Sequence, residues 1–424
     1  MDDHDLVLCG GGVIGLSIAW AAAQRGWRVL VIEAGQLGRA SSWAGAGILP
    51  AGATLPAEDP LEQLRSLSHR LHPLWAERLQ KTTGIDTEYR TCGGLYLAPT
   101  PAERATLAGN RFWWQEHGIE FESWSAEQTI DRVPALRRWI ESSPNSEFWS
   151  VPGDCRVRNP KHLAALIAAC QEQGVEFLEA THVEGLETRG NRVVSVSVSP
   201  SQPIAPLPAN DEVHQTHSTR QPSPTVAVHP IRTTGIARTT GLRQVRGQRF
   251  CVTSGAWSGP LLQSMGIATG ILPVRGQMVL YRCPRPPFSM VINEGHRYLV
   301  PRDDGHVLAG SCEEEVGFDA TTTDSMIAQL RGWAEQIVPE LSAMPIASTW
   351  AGLRPGSFDC FPYLGTLYPF ENAYVAAGHF RHGLHWSTAT AELMMQHMLG
   401  EPTSIDLAPF RVQRGQAMQT TRNT

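Results

Sequence analysis

The feature that most constrains this chain is Gly10-Gly11-Gly12-Val13-Ile14-Gly15, a G-x-G-x-x-G run close to the start of the sequence. An apolar stretch (Leu6, Val7, Leu8, Cys9) leads into it, and a helical stretch from Val13 to Arg25 leads out. Gly26 is placed to cap that helix, and Val29-Leu30-Val31-Ile32 follows as a second apolar strand ending on Glu33. Each glycine has a steric reason. Gly10 permits the sharp turn out of the strand, Gly12 lets a pyrophosphate approach the backbone, and Gly15 lets helix and strand pack closely. The helix N-terminus supplies the positive end of a dipole, and Glu33 can accept hydrogen bonds from a ribose. Strand, turn, helix, strand and terminal acid together predict a dinucleotide-binding unit. The motif does not separate FAD from NAD, whereas a glutamate at this position disfavours the 2′-phosphate of NADP.

Length and charge bound the rest. At 424 residues the chain is long for one domain, and 42% hydrophobic with 18% charged residues is ordinary for a globular enzyme. A net charge of −6 argues against a general nucleic-acid binder. The acidic start, Met1-Asp2-Asp3-His4-Asp5, lacks the basic and apolar regions of a signal peptide, and no apolar run is long enough to span a bilayer. Eight scattered cysteines without a C-x-x-C pair read as reduced thiols, with no metal site expected. The expectation is a cytoplasmic protein that binds neither membrane nor nucleic acid.

Further elements follow from periodicity. Leu61, Leu64, Leu67, Leu71, Leu74 and Leu79 form a helical stripe expected to face a core. Asn159-Pro160 predicts an N-cap followed by proline at the first helical position, with Leu163, Leu166, Ile167 and Cys170 on one face. The run from Val193 to Val198 alternates as a half-buried strand does, and Ala389 to Leu399 reads as the last helix. Residues 199–241 are rich in Pro, Ser, Thr and Arg, with little apolar periodicity, and read as a mobile surface insertion.

After Glu33, the segment from Gly38 to Leu49 is dense in small residues, which let a backbone lie against a flat ligand. Here the chain resembles the D-amino-acid oxidase superfamily, and most closely its glycine oxidase branch, where an Ala-Ser-x-x-x-Ala-Gly segment runs along the flavin. The likeness continues through Cys92-Gly93-Gly94-Leu95-Tyr96-Leu97, Ser254-Gly255-Ala256-Trp257-Ser258, Val274-Arg275-Gly276-Gln277 and Tyr298-Leu299-Val300-Pro301-Arg302. It extends over Gly310-Ser311, Gly317-Phe318-Asp319, Trp350-Ala351-Gly352-Leu353-Arg354-Pro355 and Gly378-His379-Phe380-Arg381-His382-Gly383.

The resemblance implies an α/β fold, α+β overall: a Rossmann-like FAD-binding domain from residues 1–88, 150–270 and 346–424, and an antiparallel-sheet substrate domain from 89–149 and 271–345. It implies FAD contacts from Gly10, Gly12, Val13, Ile14, Gly15, Glu33 and Ala34 around the dinucleotide turn. Ser41, Ser42, Ala46 and Gly47 would follow, then Val183, Gly255 and Trp257. The distal set is Arg354, Gly378, His379, Arg381, His382, Gly383 and Leu384. The covalent-flavin branch carries a cysteine near the position of Gly352, and Cys360 lies several residues later, so non-covalent FAD is expected.

The flavin of such an enzyme takes hydride from the substrate Cα, so the protein has chiefly to hold a carboxylate and aim a C–H bond. Arg354 stands where the family places its carboxylate-binding arginine, and a guanidinium fork matches a carboxylate in bidentate fashion. Tyr298 and Arg381 fall at the accessory positions. The turn ending at Gly383 leads into the last helix, whose N-terminus would stabilise negative charge on a reduced ring through backbone amides. Either histidine of that turn is more often a packed or solvated residue than a catalytic base. Glu313 falls near the pocket wall, where it would repel a bulky or acidic side chain or meet an amine. The chain departs from the family at His382 and at His385-Trp386-Ser387-Thr388.

The implied reaction is oxidative deamination of glycine or another small amino acid or amine, with O2 as acceptor and H2O2 formed, serving thiamine thiazole synthesis. Alternatives are a D-amino-acid or sarcosine-type oxidase or dehydrogenase, and a non-catalytic flavoprotein using residues 199–241 as a contact. A homo-oligomer is expected by analogy.

Overall fold

The computed structural model describes residues 4–201 and 242–414. Apart from residues 199–201, the expected insertion lies outside the described residues.

Two sheets organise the chain. The first has six strands, in the order Tyr363–Thr366, Ala373–Ala377, Arg249–Val252, Leu6–Cys9, Val29–Ile32 and Glu176–Leu178. All neighbours run parallel except the Tyr363–Thr366 edge strand. Leu6–Cys9 lies at the centre and every residue in it is buried, as expected for a parallel strand covered on both faces. Helix α1 (Val13–Ala23) is buried on all sides because it packs between the sheet and two further helices, α3 (Asn159–Glu172) and α4 (Gly383–Leu399). It ends two residues before the expected Arg25; Arg25 and Gly26 N–H groups bond the Ala22 and Ala23 carbonyls in a closing turn, with Gly26 at φ +80°.

Helix α2 (Pro60–Thr83) is capped by Asp59, whose carboxylate accepts from Leu61 N and Glu62 N. Its buried row is Leu64, Ser68, His72, Trp75 and Leu79, and the Trp75 ring meets Trp20 edge-on at 4.8 Å. Leu74, expected in the core stripe, is 51% exposed because it lies off that row. Asn159, expected as the cap of α3, is instead its first helical residue; Arg158 stands at the cap, and the Asn159 side-chain Nδ2 is spent on the Ser42 carbonyl at 2.7 Å.

The second sheet has eight strands, in the order Ile346–Gly356, Leu272–Arg282, His306–Gly310, Arg297–Pro301, Val291–Glu294, Gly94–Ala98, Glu147–Val151 and Glu122–Trp124. Its only parallel pairing joins Val291–Glu294 to Gly94–Ala98. One face packs on an apolar cluster including Leu95, Phe148, Tyr281 and Leu299, closed by Trp333 from the helix Asp324–Ile337. The long pair Leu272–Arg282 and Ile346–Gly356 carries Arg354 opposite Val274.

A smaller antiparallel sheet joins Thr181–Arg189, Arg192–Pro200 and Arg243–Arg246. The Val193–Val198 run is a strand, but its burial does not alternate cleanly. Ser195 and Ser197 are buried beside Val196 and Val198 because their hydroxyls bond Gln244 and Glu187, each at 2.7 Å. Among the described residues, no helix is long and apolar enough to cross a membrane.

Candidate active site

The glycine turn is held from the strand beside it. Gly10 adopts φ +123°, and a Cβ there would lie 2.5 Å from the Thr253 carbonyl oxygen. Thr253 Oγ1 donates to the Gly10 carbonyl at 2.8 Å, and Ser254 Oγ donates to the Cys9 carbonyl at 2.6 Å. Gly15 has no room for a side chain, since its Cβ would sit 2.0 Å from the Gly10 oxygen. Gly12 caps α1 without a side chain, and Ser42 Oγ accepts from Val13 N at 2.9 Å. Glu33 braces the turn: its carboxylate accepts from Gly11 N and Gly35 N, each at 2.8 Å. Burial pushes the Glu33 carboxyl up, while these amide bonds hold it down. Each oxygen retains a lone pair for a further donor.

One continuous cavity of ≈ 680 Å³ joins this turn to the second sheet. Around the turn it is lined by Gly10, Gly12, Val13, Ile14, Glu33 and Ala34. Ser41, Ser42, Ala46, Gly47, Val183, Gly255 and Trp257 also line it, as do Tyr298, Arg354, His379, Arg381, His382, Gly383 and Leu384. Of the expected contacts, Gly15 and Gly378 do not. Gly15 is used for helix–strand packing, and Gly378 turns the chain at φ +80°, where a Cβ would crowd Tyr363 at 3.2 Å.

Arg354 is aimed by its neighbours. Its guanidinium donates to the Cys312 carbonyl at 2.9 Å and to Ser311 Oγ at 2.5 Å. It lies over Gly276, where a Cβ would meet Nη2 at 2.3 Å and Nη1 at 2.4 Å. Those two bonds leave other N–H groups of the fork for a carboxylate. Tyr298 places its hydroxyl 3.7 Å from Met278 Sδ, a weak partner that an anion would readily displace. Arg381, partly exposed, pairs with Glu313. Glu313 does not itself line the cavity, so the wall position expected for it is corrected: it acts as the counter-ion of Arg381.

The histidines of the last turn are not poised as bases. Burial pushes His379 down to about 3, and its Nε2 is engaged with Thr390 Oγ1 at 3.0 Å. His382 is likewise pushed down to about 3 and stacks on Trp386 at 4.4 Å. What this segment offers the cavity is the start of α4, where Gly383, Leu384 and His385 form the wall and the first-turn N–H groups lack intrahelical partners.

A dinucleotide carrying a flat ring fits this arrangement. Glycines without side chains flank two helix N-termini, and the cavity reaches from one sheet to the other. The comparisons with known proteins decide which dinucleotide. Residues 5–397 match the family described as FAD dependent oxidoreductase. The chain belongs to that family. Within this FAD dependent oxidoreductase family it is similar to the glycine oxidase of Pseudomonas aeruginosa, 32% identical over 96% of this chain and 97% of the relative. It is also similar to the bifunctional protein ThiO/ThiG of Trichormus variabilis, 28% identical over 99% of this chain and 56% of that longer protein. The crystal structure of glycine oxidase from Geobacillus kaustophilus superposes with a TM-score of 0.82 at 26% identity, covering 97% of this chain and 98% of that one. The α/β fold and FAD as cofactor follow.

For an FAD dependent oxidoreductase, the chain's wall holds more than the sequence reading singled out. Asn293, His296 and Arg297 line the cavity near Tyr298, and Gly352 lies across from Gly276. Burial and the neighbouring Arg297, Arg381 and Arg354 hold His296 below its ordinary range. Ser311 and the Cys312 carbonyl, which orient Arg354, carried no sequence signal beyond the Gly310-Ser311 match. No cysteine lines the cavity among the described residues, and Cys360 is exposed elsewhere.

Proposed function

We propose that the chain oxidises glycine or a similarly small amino acid with non-covalent FAD, giving the imine and then the 2-oxo acid. O2 is the acceptor and H2O2 the second product. The observation that carries this reading is the placement of Arg354, Tyr298 and Arg381 on the wall of the cavity that also contains the dinucleotide turn. The glycine oxidase and ThiO/ThiG names of its relatives support the substrate and a supply of thiazole synthesis for thiamine. The same reading takes residues 1–88, 150–270 and 346–424 as the FAD-binding portion, in a cytoplasmic homo-oligomer.

When bound, FAD accepts the hydride that leaves the substrate Cα. The protein does the positioning. Arg354 takes the substrate carboxylate with its free N–H groups, held by Ser311 and Cys312 so that no reorganisation is needed on binding. Tyr298 donates its hydroxyl to the same carboxylate. Arg381, exchanging Glu313 for substrate, adds charge at the partly exposed edge. The α4 N-terminus offers fixed amide dipoles to negative charge.

Mixing the yellow protein with glycine anaerobically tests this directly: the flavin band bleaches, and readmitted oxygen restores it with H2O2 release. A band that persists with glycine, sarcosine and small D-amino acids would sink the proposal.

A further inference from the structure

Three carbonyls of the small-residue segment are captured by buried side chains in a two-residue rhythm. Asn159 Nδ2 donates to Ser42 O at 2.7 Å, Trp350 Nε1 to Ala44 O at 3.1 Å, and Arg302 Nη2 to Ala46 O at 2.6 Å. The donors come from helix α3, the strand Ile346–Gly356 and the residue that follows the strand Arg297–Pro301, and all are buried. Arg302 makes a second bond, from Nη1 to Val157 O at 3.0 Å. It has no carboxylate within ion-pair distance among the described residues. A buried cation bonded to carbonyls is a costly arrangement for fold stability alone.

A trans peptide is planar, with its C=O and the following N–H pointing in opposite directions. Fixing the Ala44 and Ala46 carbonyls toward Trp350 and Arg302 therefore turns the Gly45 and Gly47 N–H groups the other way. Both glycines line the cavity, and neither N–H makes a hydrogen bond among the described residues. Neither position admits a side chain. A Cβ on Gly45 would lie 2.8 Å from Asn159 Nδ2, and one on Gly47, at φ +71°, would lie 2.0 Å from the Val157 oxygen.

We infer that Trp350 and Arg302 are positioning residues for the cofactor: they hold two backbone N–H donors, at Gly45 and Gly47, against a hydrogen-bond-accepting edge of bound FAD. The inference rests on FAD binding and not on the identity of the amine. Donors fixed before binding cost nothing to orient, which is where their effect on affinity and electronic properties arises.

The test compares holoenzyme variants. Trp350→Phe keeps the ring packing and removes the N–H donor. Trp43→Phe is the packing control: its ring lies 5.2 Å from Trp350, and its buried Nε1 has no hydrogen-bond partner among the described residues. Arg302→Met removes both guanidinium bonds, and Arg302→Lys restores one. Trp350→Phe is expected to raise the FAD dissociation constant about tenfold, the equivalent of one hydrogen bond, and to shift the visible band and the reduction potential. Arg302→Met shifts them further, Arg302→Lys recovers part, and Trp43→Phe leaves all three unchanged. The inference is overturned if folded, FAD-loaded Trp350→Phe keeps the parent band, potential and affinity, or if Trp43→Phe moves them equally. A parent chain that takes up no FAD would overturn the cofactor assignment too, so the two failures are distinguishable.

Discussion

Gly276 and Arg354 show how one missing side chain places a charged one. The two stand on neighbouring strands, and the arginine occupies the space a Cβ would fill, with Cζ 2.5 Å from that position. Gly276→Ala is therefore expected to push the guanidinium off Ser311 and Cys312 while leaving the dinucleotide turn untouched. Its kcat/KM for glycine should fall by about 100-fold, the scale of a charge-assisted pair, with FAD retained. Arg354→Lys should lose a similar amount, because an ammonium cannot reproduce the fork. Steady-state kinetics with flavin content measured alongside decides this; parent kinetics in Gly276→Ala would show that the strand pair tolerates the shift. At this scale the sequence is legible where a residue's constraint is local. Gly10 is required by its own backbone angle, and Glu33 by its position at a strand end. The role of Gly276 depends on a partner far along the chain, and Glu313 could be placed near the pocket but not assigned to Arg381.

Elements meet their constraints through pattern, and helices α2, α3 and α4 show where pattern stops. The N-terminal strand–helix–strand unit was legible because burial and glycine spacing lie within one short stretch. The order of the second sheet was not, since Val291–Glu294 finds Gly94–Ala98 by long-range pairing that no local periodicity encodes. The junction of α2, α3 and α4 likewise hides a histidine group: His72 lies 6.2 Å from His162 and 6.1 Å from His385, ring to ring. Burial pushes His72 down to about 4 and His162 down to about 3. A histidine kept neutral in the fold but free to protonate when unfolded stabilises fully above the ordinary imidazole pKa, ~6.5, and loses that contribution as pH falls. Each such group is worth up to about 1.4 kcal/mol per pH unit between ~6.5 and its folded value. Tm should therefore drop steeply from neutral pH toward pH ~4.5. Among the described residues, His162 has no hydrogen-bond partner on either ring nitrogen. His162→Leu should then flatten this dependence without lowering Tm at neutral pH, since it removes a buried unpaired group. An unaltered slope in thermal melts across that range would contradict the assignment.

On the scale of the whole molecule, the cavity is assembled from segments drawn from most of the chain, and residues 199–201 are among them. Ser201 Oγ also bonds the Ala34 carbonyl. The composition of residues 199–241 separates them from the enzyme's core pattern but does not say whether the reaction needs them. The strands on either side supply a physical answer. Arg192–Pro200 and Arg243–Arg246 are antiparallel neighbours, with Val198 opposite Arg243, so the chain leaves and re-enters the small sheet at adjacent points. A hairpin loop of about four residues bridges such a gap. Replacing 202–241 with a Gly-Ser linker of that length keeps Ser199, Pro200 and Ser201 in the wall. Shortening the closed loop roughly tenfold also lowers its closure entropy by about 2 kcal/mol, so Tm should hold or rise. The linker variant is expected to purify yellow and to turn over glycine as the parent does. If it loses FAD or turnover while its melt stays cooperative, the replaced segment takes part in the site. If catalysis is intact but a co-purifying protein is lost, the segment serves recruitment alongside an active enzyme.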